Sequence, residues 1–160
     1  MAAAQLTVTS SADSGAGTLR DAIDTANAGG DNAVIDFQLL VGDDVIRPAS
    51  ALPTVTVAIT FMGTGAPDGY SNHITLSGEN AGDSNGLTIK SSAVTVDGLT
   101  IVNFQRSGID VSGAQMGVQI TNCLIGTDGT QCLANNHHGI LFDSGVSESN
   151  IIGNVISGNG

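Results

Sequence analysis

Tryptophan is absent from this 160-residue chain, and aromatic residues make up only 3% of it. A core must therefore be assembled from Val, Ile, Leu and Ala. Basic residues are almost as scarce. Arg20, Arg47, Lys90 and Arg106 face 15 acidic residues, for a formal charge of −11. Such a surface repels phosphate backbones and anionic lipid headgroups, which argues against nucleic-acid binding. The strong helix formers Glu, Lys and Arg are too few for a helix-rich fold. No apolar run approaches the roughly 20 residues needed to span a bilayer, so membrane insertion is not expected. Met1 to Gln5 lacks the basic start and long apolar stretch of a signal peptide. Charged residues are 12% of the whole, which leaves Ser, Thr, Asn and Gly to cover the surface.

What is abundant is glycine, 22 residues, about twice the usual share. Together with many β-branched residues this composition predicts short strands joined by tight turns. The size fits one domain with a real core.

Read along the chain, Leu6-Thr7-Val8 alternates as a strand does, and Ser11 to Gly17 is turn chemistry. Thr18 to Ala28 is the one predicted helix. Thr18 caps it, Asp21 stands three residues on in the capping-box position, and Leu19, Ala22, Ile23 and Ala26 share one face. Asp21 and Asp24 suit its positive end, and Gly29-Gly30 stop it. Strand territory resumes at Ala33 to Phe37. Thr54 to Phe61 and Ile74 to Gly78 read as irregular early repeats, separated by a loop over 62–73.

The remainder repeats. Val96, Ile120 and Ile151 each begin an apolar-x4-Ile pattern, at spacings of 24 and 31 residues. Gly86, Gly108 and Gly139 each begin an apolar alternation, at spacings of 22 and 31. Both series lengthen by about seven residues at the same place, between Ile125 and Ile140. A period in the low twenties with two or three short strands is a solenoid signature. Asn122 and Asn154 fall where strand corners are expected, as stacked residues sharing hydrogen bonds.

The segment LTVTSSADSGAGTLRDAIDTANAGGDNAVIDF, with Thr18-Leu19-Arg20-Asp21-Ala22-Ile23 at its centre, resembles the N-terminal cap of bacterial right-handed β-helix repeat proteins. Their helix starts with a Ser-Leu-Arg-Glu-Ala-Ile type sequence. The later GLTI, NF, ITNCLIGTDGT and NIIGNVISGN segments are similar to their coil repeats, so the resemblance covers nearly the whole chain. It implies an all-β fold, a right-handed parallel β-helix (β-solenoid) with a short N-terminal capping helix. One domain is expected over residues 1–160, with a cap over 1–45 and coils over 46–160. The ending inside a repeat suggests a piece of a longer protein. Many members are secreted or sit on the cell surface, and that location is implied here.

Function is carried less far by the residues. Asp97, Asp110, Asp128 and Asp143 fall in or near consecutive repeats. Paired carboxylates can hydrolyse a glycosidic bond, and Asp97, Asp110 and Asp128 are candidate calcium ligands. His137 and His138, beside Asp128 or Asp143, are candidates for acid–base catalysis. The blander reading is that all of these are solvated turn residues. The His-His-Gly stretch is similar to the Gly-His-Gly of β-helical polygalacturonases, but their Asn-Thr-Asp, coil Asp-Asp and Arg-Ile-Lys elements are missing. Lyase chemistry on a polyuronate is disfavoured, since the coils offer only Lys90 and Arg106 as cations. Cys123 and Cys132 could staple a loop as a disulfide or stand as separate thiols. No cofactor other than calcium is suggested.

Two functional readings result. The first is a non-catalytic secreted or cell-surface module, structural, adhesive or in contact with a polysaccharide. The second is a polysaccharide hydrolase or lyase, or the N-terminal part of one. Self-association as a homodimer is expected through the C-terminal end, where Ile151, Ile152 and Ile156 have no following cap.

Overall fold

The computed structural model of the chain describes residues 3–30, 32–65, 69 and 73–160. Most of the central part of the predicted 62–73 loop, residues 66–68 and 70–72, therefore lies outside the described residues. The fold is β-rich, with three parallel sheets and, among the described residues, one short helix.

The first sheet contains β1 (Ala4–Val8), β2 (Ala33–Phe37), β4 (Ile59–Met62), β7 (Thr95–Asp97), β10 (Gln119–Thr121) and β13 (Asn150–Ile152), in that order. The second runs from β3 (Val45–Ile46) through β5 (Ile74–Ser77), β8 (Leu99–Val102) and β11 (Leu124–Ile125) to β14 (Val155–Ile156). The third is β6 (Leu87–Ile89), β9 (Ile109–Val111) and β12 (Ile140–Phe142). Within each sheet the neighbours are strands from successive passes of the chain. The sequence repeat is the pairing register itself. Val96 pairs with Ile120 and Ile120 with Ile151, while Ile101 pairs with Ile125 and Ile125 with Ile156.

Alternation along each strand then sorts side chains by face. In the first sheet Ile35, Phe61, Val96 and Ile120 form one fully buried row. In the second, Ile46, Leu76, Ile101 and Ile125 do the same. Their neighbours in sequence, such as Thr60 and Thr95, turn toward the other face. Thr54 to Phe61 does not act as one repeat. Val55 bridges to Ile89, and Ile59 begins a strand of the first sheet.

The helix α1 (Leu19–Gly29) forms as its sequence predicts. Thr18 Oγ1 accepts from the Asp21 N–H at 3.3 Å, and Gly30 closes the helix with a left-handed φ of 70°. Asp21 reaches back one residue further than a capping box requires, accepting from Gly17 N–H at 3.1 Å. Leu19, Ala22, Ile23 and Ala26 are buried against the core. Two polar residues tie the helix to the segment before β4. Arg20 donates to the carbonyls of Ser50 and Ala51 and pairs with Asp13 at 2.8 Å. Asn27 donates to the Thr54 carbonyl and accepts from Thr56 N–H, on either side of Val55.

The corners are only partly as expected. Gly98, Asn122 and Gly153 share a column after the first-sheet strands, all with positive φ, and Asn122 at 54° is the one residue there with a Cβ. Asn and Gly are the residues that tolerate this conformation. Asn154, however, is not stacked on Asn122. It lies one position further on, where its amide accepts from Cys123 N–H at 2.8 Å and donates to the Ile120 carbonyl at 2.7 Å.

Candidate functional site

The added length after Ile125 is a compact excursion on the second sheet. Leu133 N–H bonds the Gly126 carbonyl at 2.8 Å, and Thr127 and Cys132 face each other as an antiparallel bridge. Between them Asp128 organises a turn. Its Oδ1 accepts from Thr130 N–H, Thr130 Oγ1 and Gln131 N–H at 2.7–2.8 Å, and Oδ2 accepts from Gln131 Nε2 at 3.3 Å. These donors, the Gln131 N–H foremost, hold its carboxyl at about 2.

Immediately after the excursion the chain dives back inside. Asn135 is fully buried, accepting from Phe104 N–H at 3.0 Å and donating to the Ile101 carbonyl at 3.1 Å. Asn159, one pass later, accepts from Asn135 and donates to the Ile125 carbonyl at 3.0 Å. These two asparagines form a ladder that the sequence reading overlooked. Their spacing of 24 residues, equal to one repeat, was the available signal.

Between this excursion and the start of the second sheet lies an open groove of about 230 Å³. Its lining includes Arg47, Thr75, Ser77, Glu79, Asp128 and Leu133. Arg47 Nε donates to Glu79 Oε2 at 3.2 Å across the rim. Asn103, held at a φ of 61°, leans on Ser77 Oγ at 3.4 Å. Of these residues only Asp128 was singled out as a candidate from the sequence. The rest escaped notice because Arg47 and Glu79 are 32 residues apart and meet only through strand pairing.

The remaining candidates do not gather here. Asp97, at the end of β7, accepts from Thr121 Oγ1 at 2.6 Å, Asn122 Nδ2 at 2.7 Å and Thr64 Oγ1 at 2.7 Å. Burial pushes its carboxyl up, and these three hydrogen bonds outweigh it, for a net lowering. Asp110, in the third sheet, accepts from Asn85 Nδ2 and Ser112 Oγ, each at 3.0 Å. Asp143 accepts from Gly113 N–H at 3.2 Å. His137 and His138 are exposed, and their backbones pair with Arg106 and Gly108. None of these carboxylates shares a donor with another. Among the described residues no cluster of three or more His, Cys, Asp or Glu side chains is placed to hold a metal ion. The candidate calcium set is thus divided: Asp97 lies in the first sheet, Asp110 in the third, and Asp128 in the turn of the excursion after β11.

The disulfide staple is not formed. Both cysteines are free, with Cys123 buried and Cys132 exposed. Cys123 sits in the column of Leu99, turned into the core, and burial pushes its thiol up to about 11. Cys132 lies on the excursion with its sulfur toward the Gly158 carbonyl.

Every carboxyl group displaced from its ordinary value among the described residues, namely Asp13, Asp83, Asp97 and Asp128, is displaced downward. No family model, curated protein or solved structure matches the chain. No helix among the described residues is long and apolar enough to cross a membrane.

Proposed function

We propose that this chain is a non-catalytic module of a secreted or cell-surface protein, wound as a right-handed parallel β-helix of the bacterial repeat type that its cap resembles. The winding is supported by the strand orders, in which neighbouring strands of each sheet come from successive passes of the chain. It is supported too by the match between sequence period and strand register. On this reading the three sheets are the faces of one coil, α1 closes the N-terminal end, and the outer surface is what the molecule presents, with a polysaccharide as its partner.

The observation that carries the non-catalytic reading is the fate of the candidate carboxylates. Each is engaged by donors of its own turn or of the neighbouring pass, and among the described residues no group of three or more His, Cys, Asp or Glu side chains is placed to hold a metal ion. The carboxylates hold backbone and side chains in place. Incubation with a panel of neutral and acidic polysaccharides, followed by assays for reducing ends and unsaturated products, tests this directly. No turnover is expected, and product formation on any one substrate would replace the reading with that of a hydrolase or lyase.

The C-terminal end carries a second expectation. Ile151, Ile152, Val155 and Ile156 are between 46% and 61% exposed. Residues 149–160 contain no charged side chain, in a chain of net charge −11. Two copies can meet there without like-charge repulsion, and a twofold contact closes the assembly. Light scattering across a dilution series should show a monomer–dimer equilibrium. A strict monomer at high concentration would remove this element.

A further inference from the structure

We infer that the groove on the second sheet is a binding site for a neutral saccharide of one or two rings. The inference rests on the non-catalytic reading and gives it a ligand and an address.

Several polar atoms of the rim have no partner among the described residues. Arg47 uses only Nε on Glu79, so its terminal nitrogens remain as donors on the rim. Glu79 Oε1 is likewise unengaged, since Arg47 bonds Oε2. Asp128 Oδ1 is saturated by three donors, but Oδ2 has a single contact at 3.3 Å and keeps acceptor capacity. Asn103 donates its one weak bond to Ser77 and leaves Oδ1 unbonded. Arg47 thus offers donors on the rim and Glu79, Asp128 and Asn103 offer acceptors, while Val45 and Leu133 supply apolar surface beside them. Hydroxyl groups, which both donate and accept, fit such a rim, and the C–H faces of a pyranose fit the apolar part.

Charge and size narrow the ligand. An anion is opposed by the net charge of −11, and the one guanidinium present is already neutralised by Glu79. Among the described residues no group of three or more His, Cys, Asp or Glu side chains is placed to hold a metal ion. A volume of about 230 Å³ lies below the range of roughly 300–1,000 Å³ usual for drug-sized ligands.

The test is a titration of 15N-labelled protein with maltose, cellobiose, mannobiose and chitobiose, with digalacturonate as the anionic control. At least one neutral disaccharide should give saturable shifts confined to amides around Ser77, Asn103 and the 126–133 excursion, with Kd on the order of 1 mM for so shallow a site. Glu79→Gln and Arg47→Ala, both on the exposed rim, should weaken that binding about tenfold while leaving the rest of the spectrum unchanged. Absence of shifts with all four sugars, shifts elsewhere, equal binding of digalacturonate, or full affinity in both variants would overturn the assignment. The same samples are then examined for cleaved sugar. Cleavage would defeat the non-catalytic reading, whereas intact sugar without shifts would defeat only the groove.

Discussion

Replacing Asn135 with alanine should cost about 2–4 kcal/mol, because its side chain substitutes for backbone pairing where the chain re-enters the core. The native amide makes three bonds: from Phe104 N–H at 3.0 Å, to the Ile101 carbonyl at 3.1 Å, and to Asn159 Oδ1 at 3.0 Å. Alanine removes all three, but their consequences differ. The Ile101 carbonyl keeps the Gly126 N–H at 3.0 Å, and Asn159 Oδ1 keeps the backbone N–H of residue 135 at 3.2 Å. Only the Phe104 N–H is left without an acceptor, in a residue that is 1% exposed. An orphaned buried donor costs about 1–3 kcal/mol, and the void and lost amide contacts add on the order of 1 kcal/mol. Against a total stability of about 5–15 kcal/mol the change is readily measured by urea unfolding followed by far-UV circular dichroism. The midpoint should fall with the slope unchanged. A loss below about 1 kcal/mol would mean that water enters and replaces the amide, and the reasoning from satisfaction would fail. Asn135→Asp sharpens the test. It keeps the acceptor for Phe104 but sets a carboxylate oxygen against the Ile101 carbonyl and Asn159 Oδ1. Burial favours its protonated form in the folded state, so its penalty should be full at pH 7 and shrink as the pH falls toward the unfolded carboxyl's value near 4.

Ile23→Asp, at a fully buried position on the helix, should cost at least as much as a large core truncation, about 3–5 kcal/mol. Wild-type-like melting and solubility would show that α1 is dispensable. Deleting Gly126 to Cys132 joins Ile125 to Leu133 and restores the three-step path from Ile101 to Phe104 and from Ile156 to Asn159. The shortened chain should stay folded and melt within a few degrees of the parent, whereas an unfolded product would make the excursion structural. Thiol titration at pH 8 should label one cysteine per native chain, Cys132, and both after denaturation. Labelling of Cys123 in the native state would contradict its burial and its thiol pKa of about 11.

Much of this fold is legible in the residue order because repetition is a local signal. The helix could be placed to within a residue, since Thr18 and Gly30 mark its ends and Leu19, Ala22, Ile23 and Ala26 share one face. The spacings of 24 and 31 residues name the strand partners, because stacking requires that like side chains recur where the chain comes back. The size and position of the excursion after Ile125 follow from the same bookkeeping of lengths. Other features were decided only in three dimensions. Asn122 and Asn154 read alike in sequence, yet one takes the left-handed corner and the other bonds across passes, because their strands place them one position apart. Cys123 and Cys132 are close in the chain, but strand alternation turns the first inward while the second rides on an exposed turn. The carboxylates that looked like a series are parted: Asp97 ends a strand of the first sheet, Asp110 and Asp143 lie along the third, and Asp128 sits in the excursion. The groove is the reverse case: Arg47, Glu79 and Asp128 come from three separate passes of the chain, and only parallel pairing at strand spacing brings them to one rim. Periodicity is written in sequence because it is a property of neighbours along the chain. A site made across passes depends on which face each side chain takes, and that is settled by packing.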